Sequence, residues 1–168
     1  FISGAEIESS EVKTVYDLAA EAALISREVI AAKVNGEVVD LTTPVEHDAE
    51  IELLTFENED GQKVFNHTAS HILAQAVKRL YPEAKLTIGP AIDNGFYYDF
   101  DSEETFTPEA LNKIEKEMKK IVRENLKLER FTLPRNEAIA MMEAAGEPYK
   151  VQLIARVPEG EEISFYRQ

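Results

Sequence analysis

The chain has 168 residues, 44% hydrophobic and 30% charged, which suits one ordinary domain or two small ones with buried cores and a charged surface of net −14. No apolar run approaches the ~20 residues that cross a bilayer, and Phe1-Ile2-Ser3-Gly4 lacks the basic and apolar regions of a secretion signal, so a cytoplasmic setting with no membrane partner is expected. Without cysteine there is no disulfide framework, thiolate zinc site or Cys nucleophile, and any chemistry falls to His, carboxylates, hydroxyls, Lys or water.

From the amino terminus, the apolar alternation of Phe1 to Ile7 predicts a strand, and Thr14 followed by Asp17 has the form of a cap opening a short helix through about Leu24. Val29 to Val34 and Glu37 to Leu41 flank Asn35-Gly36, the pair that best tolerates the positive φ angles of a type I′ turn, and so predict a hairpin. After a loop interrupted by Pro44, Glu50 to Phe56 reads as a closing strand and Asn58-Glu59-Asp60-Gly61 as a turn or linker. This order suits a β-grasp sheet with one helix packed across it. The charge changes here. Residues 1–62 hold 15 acidic and 3 basic side chains, net −12, whereas residues 63–168 hold 17 and 15, net −2. The step predicts a domain boundary at 62/63 and leaves the second part free to approach a polyanion without strong repulsion.

Asn66 is a good N-cap, and Ala69, Ile72, Leu73, Ala76, Val77 and Leu80 recur at helical spacing until Tyr81-Pro82 ends the run. Leu86 to Ile88 and Phe96 to Phe100 predict strands around the sharply turning loop Gly89 to Gly95. Thr107-Pro108 opens a second helix, whose Leu111, Ile114, Met118, Ile121 and Val122 form a stripe expected to cover a sheet. A strand near Leu128 to Leu133, a helix from Arg135 to Ala145 stopped by Gly146, a helix near Tyr149 to Ala155 and a strand at Ile163 to Tyr166 complete an α+β second part with an antiparallel sheet and packed helices.

Two of the three histidines, His67 and His71, lie four apart on the best-marked helix and therefore share a face. At about 100° per residue the apolar stripe centres near Ala76 and the histidines fall on the opposite side, on a face that continues through Ala74 to Lys78. A lone His-x-x-x-His is weak evidence, since ordinary surface histidines account for most such pairs. Thr68 replaces the glutamate that a zinc protease helix would use as base, which disfavours that reading. The two imidazoles remain alternative zinc ligands, but a hydrolytic zinc usually needs a third protein ligand and a closed site needs four. His47, in the acidic first part, is a poor candidate.

Two stretches make the pattern specific. His67-Thr68-Ala69-Ser70-His71-Ile72-Leu73-Ala74-Gln75-Ala76, followed by Ile88-Gly89-Pro90-Ala91-Ile92-Asp93-Asn94-Gly95-Phe96-Tyr97-Tyr98-Asp99-Phe100, closely resembles the editing domain of threonyl-tRNA synthetases. Related histidine motifs occur in alanyl-tRNA editing domains. Lys33-Val34-Asn35-Gly36-Glu37-Val38-Val39-Asp40-Leu41 resembles a TGS domain, a ubiquitin-like β-grasp, and this domain order favours the threonyl enzyme. The resemblance implies residues 1–62 as the TGS domain and 63–168 as the amino-terminal part of the editing domain.

The implied reaction is hydrolysis of seryl-tRNA(Thr), with the 3′ end of that tRNA as partner. His67 and His71 would occupy the site, one of them orienting or activating water or holding the terminal ribose. Lys150, in Gly146-Glu147-Pro148-Tyr149-Lys150, matches a lysine near the family's editing centre and would supply positive charge. Tyr98 would contact the seryl group or the terminal adenosine, although its alternating strand position equally suits core packing. Asn94 is a further substrate-binding candidate, although Asn94-Gly95 also has the composition of a turn. The family continues with an Asp and a Cys-x-x-x-His element that complete the pocket, and no cysteine is present here. The expectation is therefore an amino-terminal fragment, inactive alone and monomeric, needing no cofactor itself. It would come from a homodimeric ligase whose downstream core uses ATP, magnesium and zinc. The alternatives are a TGS-based ligand- or RNA-binding module and a free-standing trans-editing deacylase.

Overall fold

Thr14 and Asn35-Gly36 organise the first part of the chain. The Thr14 hydroxyl accepts from the Asp17 backbone N–H at 3.2 Å while the Asp17 carboxylate accepts from the Thr14 N–H at 3.2 Å, a reciprocal capping box that starts α1, Val15–Glu21. Asn35 at φ 51° and Gly36 at φ 86° make the left-handed turn that joins β2, Val29–Val34, to β3, Glu37–Val39. The computed structural model describes residues 1–92 and 95–167, and chain packing divides it into two units, Phe1–Thr68 and Ala69–Gln168.

In the first unit, β1 (Lys13–Thr14) pairs antiparallel with β4 (Pro44–Val45), and β5 (Ile51–Thr55) pairs antiparallel with β2, giving a three-stranded order β3-β2-β5. Val15 and Ala19 of α1 pack on Ala32 and Ile51 of the sheet, with Ile2 closing the core. This is the β-grasp arrangement, one helix against an antiparallel sheet. The strand expected over Phe1 to Ile7 does not form. Ser3 at φ 45° and Gly4 at φ 87° turn the chain so that Ile2 and Ala5 bond each other, and Ile2 alone bridges to Ile51.

The helix expected from Asn66 begins seven residues earlier, and α2 runs Glu59–Leu80. Asp60 and Gly61 look like a turn in sequence, but here they form a first helical turn. Glu59 and Asp60 suit the positive end of the helix dipole, and Asp60 pairs with Lys33 of β2 at 2.6 Å. That pairing holds the Asp60 carboxyl below its ordinary range. Gly61 allows the turn to lie against the end of β5, where the Thr55 carbonyl occupies the space of any Cβ.

The second unit has two cores. Ala76 and Val77 of α2 pack with Ala84 and with Ile114 and Ile121 of α3, Pro108–Glu124, while Phe100, Phe106 and Met118 lie around them. The α3 stripe thus packs chiefly on α2. Leu111 and Val122, expected in the stripe, are 54% and 60% exposed. Val122 is about 80° round the helix from Ile114, on the edge of the arc that α2 can cover. Arg79 of α2 ties the pair together through Glu124 at 2.9 Å and Glu117 at 3.2 Å, and lowers the Glu124 carboxyl from its ordinary value.

The segment after α2 folds as a nested hairpin. Its outer pair is β6 (Lys85–Leu86) with β9 (Phe100–Asp101), and its inner pair is β7 (Ala91–Ile92) with β8 (Gly95–Phe96). The two expected strands are therefore broken into short pieces, joined by the Asp99 N–H to Ile88 carbonyl bond at 2.8 Å. The second core holds Ala138, Ile154 and Ile163. They come from α4 (Arg135–Ala144), α5 (Pro148–Ala155) and β11 (Ile163–Arg167), the last paired antiparallel with β10 (Glu129–Leu133) over five residues. Among the described residues no helix is long and apolar enough to cross a membrane.

The capping box supplies a direct test of the local reading. Thr14→Ala should cost about 1 kcal/mol of stability at neutral pH. Because its bonds to Thr14 hold the Asp17 carboxyl below its ordinary 3.8, the share carried by the Thr14 hydroxyl's bond to that carboxylate is complete above that value and is lost as pH falls through the lowered one. Thermal melts of wild type and variant should therefore draw closer in acid without meeting, since the Asp17 N–H to Thr14 hydroxyl bond does not titrate. A gap that stays constant down to pH 2 would contradict this.

Candidate functional site

On α2, Ile72, Leu73, Ala76, Val77 and Leu80 face the core, while His67 and His71 are exposed. The unit boundary passes between Thr68 and Ala69, so that His67 belongs to the first unit and His71 to the second, both on α2. Further along α2, Ala74 is buried and Lys78 is half-buried. His71 lies edge-on to Tyr166 of β11, with ring centroids 6.1 Å apart.

Lys150 and Tyr98 meet, although 52 residues separate them. The Lys150 ammonium donates to the Tyr98 hydroxyl at 3.2 Å and lies 5.5 Å from the ring centroid. Tyr98 has two close neighbours. One neighbour is the Phe100 ring, stacked at 4.8 Å, and the other is Gly89, where an added Cβ would fall 2.1 Å from the tyrosine ring. Gly89 is therefore required by close approach to an aromatic face. Asn94, expected to bind substrate, lies outside the described residues.

Three further groups support this arrangement, and sequence reasoning missed them. Glu147 is 4% exposed, and its carboxylate accepts from the Leu86 N–H at 2.8 Å and pairs with Lys78 at 2.8 Å. The Lys78 ammonium also donates to the carbonyls of Pro82 at 2.8 Å and Ala84 at 2.9 Å. Tyr149 donates to the Asp101 carboxylate at 2.8 Å, and that bond is the main reason its hydroxyl is raised above its ordinary value. A Glu just ahead of Pro-Tyr-Lys was the available signal for Glu147. Its burial depends on partners more than sixty positions away.

The Lys150–Tyr98 pair can place a fixed cation and a phenol beside a ligand carbonyl or hydroxyl. Among the described residues no group of three or more His, Asp or Glu side chains is placed to hold a metal ion. His67 and His71 would supply two donors, one short of the three protein ligands that a hydrolytic zinc usually takes.

Residues 3–55 match the TGS domain model. The chain is 66% identical over 142 residues to a threonine–tRNA ligase of Clostridium tetani, covering 84% of this chain and 22% of that protein. It is 64% identical over 144 residues to the Acetivibrio thermocellus enzyme of the same name, covering 86% of this chain and 23% of the relative. With the Clostridium kluyveri threonine–tRNA ligase, 56% identity extends over 167 residues, 99% of this chain and 26% of the relative. The chain thus spans about a quarter of the length of the curated relatives it matches.

Proposed function

Since the chain belongs to the threonyl-tRNA synthetase family and carries its TGS domain, we propose that its second unit serves the post-transfer editing of that ligase, hydrolysing seryl-tRNA(Thr). The observation that carries this reading is the meeting of Lys150 with Tyr98 in the unit that also bears His71.

Serine lacks one methyl group of threonine, a difference worth about 1–3 kcal/mol in a binding pocket, so a first site selecting by fit alone leaks. A second site that hydrolyses the smaller product removes the error. Water adds to the ester carbonyl, the bond to the terminal ribose oxygen breaks, that oxygen takes a proton, and free serine leaves. The step needs a placed water, a route for the proton and compensation for charge on the carbonyl oxygen. Lys150, steadied by Tyr98, supplies the positive charge. His67 and His71 orient or activate the water, or hold the ribose. The segment works within the longer ligase chain and binds the 3′ end of tRNA(Thr).

In the full-length ligase that contains this segment, the pair His67→Ala and His71→Ala should slow seryl-tRNA(Thr) deacylation by about a hundredfold or more, the scale of lost acid–base assistance. Threonylation of tRNA should be unaffected. Deacylation at the wild-type rate would reject the assigned site.

A further inference from the structure

Glu147 opens α5, yet its carboxylate makes no capping bond to its own helix. One oxygen accepts from the Leu86 N–H of β6 and the other pairs with Lys78 of α2. Its backbone carbonyl accepts the Lys150 and Val151 N–H groups at 3.1 and 3.2 Å. One buried residue thus ties the first turn of α5 to two other elements and provides the base on which Lys150 stands. Lys150 also sits in the first turn of a helix, where the dipole disfavours a cation, and α5 has no acidic residue within its first turn. The negative charge of Glu147 opposes that field from immediately before the helix. Lys78, bonded to two carbonyls of the α2–β6 connection, keeps the carboxylate in place.

We infer that Glu147 and Lys78 are a positioning pair for Lys150, fixing the first turn of α5 so that the ammonium stays on the Tyr98 hydroxyl. This rests on the editing reading of Lys150. Neither residue touches the substrate. Glu147→Gln keeps an oxygen for the Leu86 N–H but removes the charge that holds Lys78 and offsets the helix field.

A double-mutant cycle on seryl-tRNA(Thr) deacylation in the full-length ligase tests the inference. Glu147→Gln should lower kcat roughly ten- to hundredfold, the effect of misplacing a catalytic group, with little change in KM. In a Lys150→Ala background the same substitution should have no further effect. If Lys150→Ala leaves deacylation intact, the editing role of Lys150 itself fails. If Lys150→Ala slows the reaction while Glu147→Gln does not, or slows it equally with and without Lys150, the positioning role is overturned. Should Glu147→Gln not fold, Lys78→Gln reads the same cycle from the other end of the pair.

Discussion

Glu147→Ala should destabilise the second unit by about 2–3 kcal/mol. Removing one partner of a fully buried charge pair costs about 3–5 kcal/mol. Here Lys78 keeps 30% of its side chain exposed and retains two carbonyl acceptors, so the cost is smaller. Against that discount, the part-buried Leu86 N–H loses its acceptor, at the lower end of the about 1–3 kcal/mol that an unsatisfied buried donor costs. Glu147→Gln, which retains that acceptor, should lose less than half as much. Hydrogen exchange resolved by peptide should show faster opening in Lys85–Leu86 and Pro148–Ala155 while β2 and β5 exchange as before. Uniform exchange in wild type and Glu147→Ala would mean that the buried carboxylate contributes nothing net.

Gly61→Ala carries the second large effect, and its sign is the informative part. In the interior of an exposed helix, replacing Gly by Ala gains about 1 kcal/mol from propensity. At Gly61 the new Cβ would lie 1.9 Å from the Thr55 carbonyl oxygen and 2.7 Å from its carbon, both backbone atoms. Thr55 cannot easily yield, because the Asn58 side chain accepts its N–H at 2.8 Å and the Asn58 N–H donates to its carbonyl at 3.1 Å. Overpacking of this kind costs about 1–3 kcal/mol, and with rigid backbone on one side the upper end applies. A net loss of about 2 kcal/mol in the first unit is expected. A stabilised Gly61→Ala variant would show that the start of α2 can move away from β5.

The two glycines of close approach, Gly61 and Gly89, mark the limit of what local pattern conveys. Asp60-Gly61 has turn composition, yet it is helix here because Lys33 reaches Asp60 and because β5 ends where only a glycine can pass. Gly89 reads as loop chemistry, but its neighbour is a tyrosine ring nine positions later. Leu111 and Val122 carried the same apolar signal as Ile114 and Ile121, and only the width of the opposing α2 surface separates the buried pair from the exposed one.

What this sequence determined by itself was what neighbouring residues can decide. The Thr14 cap, the Asn35-Gly36 hairpin, the α3 start at Thr107-Pro108 and the α4 stop at Gly146 depend on φ preferences and on bonds within one turn of chain. The motifs that named His67, His71, Tyr98 and Lys150 are likewise local strings. Tertiary structure alone decided that Lys150 meets Tyr98, that His71 faces Tyr166, and that Glu147 spends its charge on Lys78. Those contacts join residues from 52 to 95 positions apart. The free energy that selects them comes from burial and from satisfying polar groups once the elements have packed, which no short window of sequence contains.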